Sequence, residues 1–172
     1  MSADPFALFG LTHRYLLDEA DLQARYHALQ RELHPDRYAL AGEAERRLAA
    51  TRAADLNDAW RQLRDPVARA RALLSIAGQR VDEDGATLRD TGFLMEQMTL
   101  REALDEARAD ALALRAFADD LAARRARAGE AFAQAHARGE MDAALRAYRA
   151  LQFLARLAEE LARAEDDLLD GH

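Results

Sequence analysis

The sequence predicts an all-α protein built as an antiparallel helical hairpin followed by a three-helix bundle. Three observations carry that expectation. Alanine, the strongest helix former, supplies roughly a quarter of the chain. Apolar residues recur at helical spacing, and strand-type alternation is nowhere sustained. With only three prolines in 172 residues, little interrupts long helices. Half of the residues are apolar, enough for a core in each of two small domains.

The first long helix is expected over residues 18–33. Asp18 can cap it, and Asp21 suits its positive N-terminal end. Leu22, Tyr26, Leu29 and Leu33 repeat on one face as its buried stripe. A second helix over residues 42–63 offers Leu48, Leu56, Trp60 and Leu63 as the facing stripe, so the two pack antiparallel. Asp65-Pro66 stops it, and a short helix over residues 67–76 follows. Residues 78–90 are polar, lack apolar periodicity and include Asp82, Glu83, Asp84 and Gly85. They are expected to link a first domain, 1–77, to a second, 91–172. Beyond them, helices are expected over residues 91–113, 115–137 and 141–169. Gly129 is a weak point in the middle one, Gly139 separates it from the last, and Glu165-Asp166-Asp167 is a fraying acidic end.

Composition excludes several classes of function. The charge is −7, from 24 basic against 31 acidic residues, and every basic residue is arginine. That balance argues against general nucleic-acid binding, and Arg124-Arg125-Ala126-Arg127 reads as a solvated helix face. Cysteine is absent, so no disulfide framework, zinc site or iron–sulfur cluster can be built from thiolates. His13, His27, His136 and His172 are scattered, with no Glu-x-x-His pattern and no glycine-rich phosphate loop. No cofactor, metal or catalytic residue is expected, and the chain does not read as an enzyme. Neither a membrane span nor a signal-peptide core is visible, so the expected location is cytoplasmic.

Two surfaces remain as candidates. At His34-Pro35-Asp36 the proline ends the first helix and biases its predecessor away from helical geometry. The tripeptide must lie on a turn, its imidazole and carboxylate toward solvent. Asp36 is suited to accept a charge-assisted hydrogen bond from a partner arginine. Arg25, Arg31 and Arg37 surround it with positive charge, which suits an acidic groove on a partner. Taken alone, the tripeptide equally fits a helix cap and turn.

The second surface comes from a helical wheel over residues 93–111, at about 100° per residue. Phe93, Gln97, Leu100, Leu104, Ala107 and Ala111 share the core face. Met95, Met98, Glu102 and Glu106 point the other way, with Leu94 on the shoulder. Flexible, polarisable methionines continued by carboxylates suit a partner-binding face, unless another helix covers them. Phe153 lies at the edge of the last helix's stripe of Ala150, Leu154, Leu157, Leu161 and Leu168, either as edge core or as part of that patch.

Two helices joined by His34-Pro35-Asp36, followed by Leu56-Asn57-Asp58-Ala59-Trp60-Arg61-Gln62-Leu63-Arg64-Asp65-Pro66, resemble the J-domain. That is the module by which J-type co-chaperones stimulate the ATPase of DnaK-like chaperones. The string Arg89-Asp90-Thr91-Gly92-Phe93-Leu94-Met95-Glu96-Gln97-Met98-Thr99-Leu100-Arg101-Glu102 is more specific. With the opening Phe6-Ala7-Leu8-Phe9-Gly10-Leu11 and the closing Leu168-Leu169-Asp170, it resembles the HscB family of J-type co-chaperones of bacterial iron–sulfur cluster assembly. The resemblance spans essentially the whole chain.

It implies an adaptor whose first domain engages the chaperone HscA through His34, Pro35, Asp36, Arg25, Arg31 and Arg37. Its second domain would hold the scaffold protein IscU through Leu94, Met95, Met98, Glu102, Glu106 and Phe153. Met98 stands where relatives often carry leucine, and Thr99 where an acid is common, which puts one scaffold contact in doubt. The cysteine-rich N-terminal extension of eukaryotic members is missing, as expected of a bacterial form. The alternative within the class is a general J-domain co-chaperone recruiting unfolded clients. A helical metalloenzyme would need a carboxylate–histidine cluster that the sequence lacks. A structural module with a chance His-Pro-Asp would leave every chaperone ATPase unchanged.

Overall fold

The computed structural model describes residues 4–38, 42–81 and 91–170. Helix is the regular structure throughout these residues, with no strand among them. The chain divides into two units, Met1–Gln79 and Arg80–His172. Of the expected linker, residues 82–90 lie outside the described residues.

The first unit opens with a short helix that the sequence reading missed, α1 (Pro5–Leu8), capped by Asp4. The helix α2 (Glu19–Glu32) starts on Asp18, whose Oδ1 accepts from the backbone N–H of Ala20 and Asp21 at 2.9 and 3.0 Å. A 3-10 turn over Pro35–Tyr38 leads toward α3 (Glu43–Arg64), and α4 (Pro66–Ile76) begins on the Asp65 cap. Leu22, Leu56 and Leu63 are buried, with Phe6 of α1, Phe9 just beyond it, and Leu73 and Leu74 of α4. Leu48 departs from expectation: it is exposed, and its neighbour Ala49 faces inward instead. Trp60 is half-buried, its ring stacked on Tyr26 at 4.5 Å and on Phe9 at 6.4 Å.

A buried arginine closes the far end of this hairpin. Arg69 donates from Nε to the Leu63 carbonyl at 2.6 Å and from Nη1 to the Tyr15 carbonyl at 2.9 Å. Burial pushes its pKa down. The carbonyls and the Tyr15 ring, 5.5 Å from its guanidinium carbon, offset that desolvation.

In the second unit α5 (Thr91–Ala107), α6 (Ala111–Ala137) and α7 (Met141–Asp170) are joined by short turns. The helix expected over residues 91–113 is in fact broken. Asp110 accepts from the N–H groups of Leu112 and Ala113 at 2.8 and 3.4 Å, so it caps a new helix rather than continuing the old one. Ala111 therefore opens α6 and is exposed, not core. Gly129 interrupts nothing, since α6 runs through it and buries it. Gly139 does end α6. At φ 72° its left-handed conformation lets Glu140 N–H reach the Ala135 carbonyl at 2.9 Å. The acidic end is helical to Asp170 rather than frayed. One core cluster packs Leu100, Leu104 and Ala107 of α5 with Leu114 and Leu121 of α6 and Leu154, Leu157 and Leu161 of α7.

Candidate functional site: a His-Pro-Asp turn and an exposed methionine face

The turn after α2 is formed by local hydrogen bonds. Leu33 N–H still reaches back to the Leu29 carbonyl at 3.1 Å, and Arg37 N–H to the His34 carbonyl at 3.0 Å. Asp36 N–H donates to His34 Nδ1 at 3.3 Å. The Asp36 carboxylate lies 3.4 Å from the same Nδ1. Both side chains face solvent, at 57% exposure for His34 and 90% for Asp36. Behind them a cavity of about 140 Å3 is lined by Gln30, Leu33, His34 and Leu56.

The three arginines expected beside this turn behave differently. Arg31 and Arg37 are exposed and have no ion pair among the described residues. Arg25 is half-buried and engaged. It donates to Asp21 at 2.8 Å, to the Phe9 carbonyl at 3.2 Å and to the Gly10 carbonyl at 3.4 Å. Its charge is matched within the helix, and its side chain ties α2 to the end of α1.

On α5 the helical wheel separates two faces. Met95 and Met98 are 65% and 61% exposed, and Glu102 and Glu106 are exposed with them. Leu94 is half-buried, and Thr99 is exposed. Phe153 does not join this patch. It is 5% exposed, part of the core, edge-on to Phe93 at 6.2 Å and beneath the Arg101 guanidinium at 5.3 Å. The physical reason is the position of α5, which lies across the stripe of α7 to which Phe153 belongs.

Sequence reasoning missed the ties that hold α5 in place. Arg124 donates to Asp120 at 2.6 Å and to Glu96 at 3.0 Å, and its pKa is raised, chiefly by the hydrogen bond to Asp120. The Asp120–Arg124 spacing of four was readable as a helix pair. Nothing in the sequence marked Glu96 as its partner from another helix. No group of three or more metal-ligating side chains occurs among the described residues, and no described helix is long and apolar enough to cross a membrane.

Comparison with known proteins agrees with this architecture. Residues 89–162 match the model of the HSCB C-terminal oligomerisation domain. The co-chaperone protein HscB homolog of Bordetella pertussis is 42% identical over 163 residues, covering 94% of this chain and 96% of the relative. That of Shewanella sp. strain ANA-3 is 40% identical over 171 residues, covering 96% and 98%. Among solved structures, chaperone HscB from Vibrio cholerae superposes with a TM-score of 0.85 at 39% identity, covering 96% of this chain and 99% of its own. Human co-chaperone HscB, at 24% identity, shares the fold, with a TM-score of 0.88 over 95% of this chain and 83% of its own. With two-fifths identity sustained over nearly the full length, and with a J-type turn and a second helical unit in the expected order, the chain belongs to the HscB family of co-chaperones.

Proposed function

We propose that this chain is a cytoplasmic adaptor of iron–sulfur cluster assembly that joins a DnaK-like chaperone of the HscA type to the scaffold protein IscU. The observation that carries this reading is that each unit has its own exposed candidate face. His34 and Asp36 stand on a turn of the first, and Met95 and Met98 on a helix of the second. ATP hydrolysis belongs to the chaperone. The turn contributes preferential affinity for its hydrolysis-competent conformation, with the Asp36 carboxylate accepting a hydrogen bond from a chaperone arginine. Arg31 and Arg37 add attraction toward an acidic groove. Covalent linkage of the two faces raises the scaffold's local concentration beside the chaperone.

Steady-state ATPase assays on the HscA-type chaperone test this directly. The chain alone should stimulate hydrolysis, and chain plus IscU should stimulate it further. Stimulation by unfolded clients in place of IscU would favour the general co-chaperone instead, and no stimulation under any condition would refute both.

A further inference from the structure

The chain has four methionines and no cysteine, so its sulfur redox chemistry rests on thioethers alone. Two of these share one face of α5. Met95 and Met98 are 65% and 61% exposed, and they are the only large apolar side chains of that helix left exposed. Three residues apart, they are neighbours on adjacent turns, with Cβ atoms about 5–6 Å from each other. Met141, at the start of α7, is half-buried. Oxidation of sulfur follows its access to solvent, so among the described residues the α5 pair is what an oxidant reaches first. The reaction needs only a peroxide. A sulfur lone pair attacks one peroxide oxygen, an S–O bond forms as the O–O bond breaks, and water leaves. Sulfur gives up two electrons and peroxide takes them. The sulfoxide is polar where the thioether was apolar, so oxidation of both residues removes the exposed apolar character of the face.

Resting on the reading that this face holds the scaffold, we propose that Met95 and Met98 form a reversible oxidation site that releases the scaffold when peroxide is present. Thioethers bury favourably against an apolar partner. Sulfoxide oxygens do not, because they lose water without gaining a hydrogen-bond donor. The coupling is reciprocal: a scaffold that binds the reduced face also shields it, so the free chain oxidises faster than the complex. The His34-Pro35-Asp36 turn contains no sulfur, so stimulation of the chaperone by the chain alone persists. Oxidation therefore stops scaffold delivery without disabling the chaperone contact. Return to the thioether needs two thiols, which become a disulfide while the oxygen leaves as water. The chain has no thiol to give, so recovery depends on a separate sulfoxide reductase.

The test treats the full-length chain with hydrogen peroxide, removes the peroxide, maps the oxygen by peptide mass spectrometry and titrates IscU by calorimetry. Oxygen should appear on Met95 and Met98 before Met141. Affinity should fall by about tenfold or more, with the melting temperature unchanged because both side chains are exposed. Treatment with the two methionine sulfoxide reductases and dithiothreitol should restore it. Met95→Leu combined with Met98→Leu keeps apolar side chains that peroxide leaves alone, so its own affinity should be the same before and after treatment. If the untreated chain does not bind IscU, the reading of the second unit falls and this inference with it. If it binds, and full oxidation of both methionines leaves the affinity unmoved, the oxidation site alone is overturned. A loss that the leucine variant shares, that comes with a lower melting temperature, or that the reductases do not reverse also overturns it. So does oxidation of Met141 ahead of the α5 pair.

Discussion

The Tyr26 hydroxyl of α2 donates to Oδ1 of Asn57 on α3 across 2.9 Å, while the Tyr26 ring stacks on Trp60 one turn further along. This pair joins the two helices that present the His34 turn. Tyr26→Phe keeps the stack and loses the bond, so it should cost about 1 kcal/mol. Trp60→Ala removes the stack from a half-buried site and should cost about 2 kcal/mol or more. Urea unfolding curves of the two single variants and the double variant would measure the coupling.

His34→Gln and Asp36→Asn should each abolish stimulation of the chaperone ATPase and leave IscU binding intact. Both side chains are exposed and their polar contacts stay within the turn, so unfolding midpoints should move little. Normal stimulation by either variant would remove the turn from the chaperone contact.

Arg31→Glu and Arg25→Glu should be distinguishable. The former reverses an exposed charge and should slow association with the chaperone, most strongly at low salt. The latter also breaks bonds to the Phe9 and Gly10 carbonyls, so it should lower thermal stability as well. Stopped-flow association beside a melting curve separates the two effects, and identical behaviour of the variants would contradict the different environments described for these arginines.

Met95→Ala with Met98→Ala should weaken IscU binding without altering the melt, each residue contributing on the order of 1 kcal/mol or more. Phe153→Ala, by contrast, should destabilise the bundle by about 3–5 kcal/mol, because it empties a core position. Circular dichroism melts run beside the titration check both halves.

Asp4 gives an acid-sensitive attachment for the N-terminal turn. Burial alone would raise its pKa, but the His13 hydrogen bond and the N–H groups of Ala7 and Phe6 outweigh this and hold it below the ordinary carboxylate value. A depressed carboxylate stabilises the folded state fully above its unfolded pKa, about 3.9. That contribution is lost as pH falls through the lower folded value. Fluorescence of Trp60, whose ring stacks on Phe9, should therefore change below about pH 4 in the unaltered chain. In Asp4→Ala the step should vanish, with a stability about 1 kcal/mol lower at neutral pH.

Local signals in the sequence carried most of the fold. Asp18, Pro66 and Gly139 act within a few residues of themselves, and each stands at or beside the boundary it was expected to make. Asp110 was misjudged because alanine and leucine on either side favour helix, while its side chain competes for the backbone through a cap. Leu48 failed because, at about 100° per residue, it lies off the stripe of Leu56, Trp60 and Leu63, and Ala49 takes the inward position. The methionines could be placed outward because a wheel needs only one helix. Phe153 could not be placed, because its burial depends on where α5 crosses α7. Arg69 left no signal at all, since its acceptors are backbone carbonyls that no side chain announces.

Arg69 has a consequence for motion within the first unit. Its bond to Tyr15 spans 54 residues of sequence, and it fastens the segment before α2 to the end of α3 and the start of α4. The His34 turn lies at the opposite end of α2, held by short-range hydrogen bonds and open to solvent. Amide hydrogens should accordingly exchange slowest near Leu63 and fastest around Asp36, with opening spreading from the turn inward. The hairpin is thus a clasp hinged at the arginine, and its looser jaw carries the histidine and aspartate.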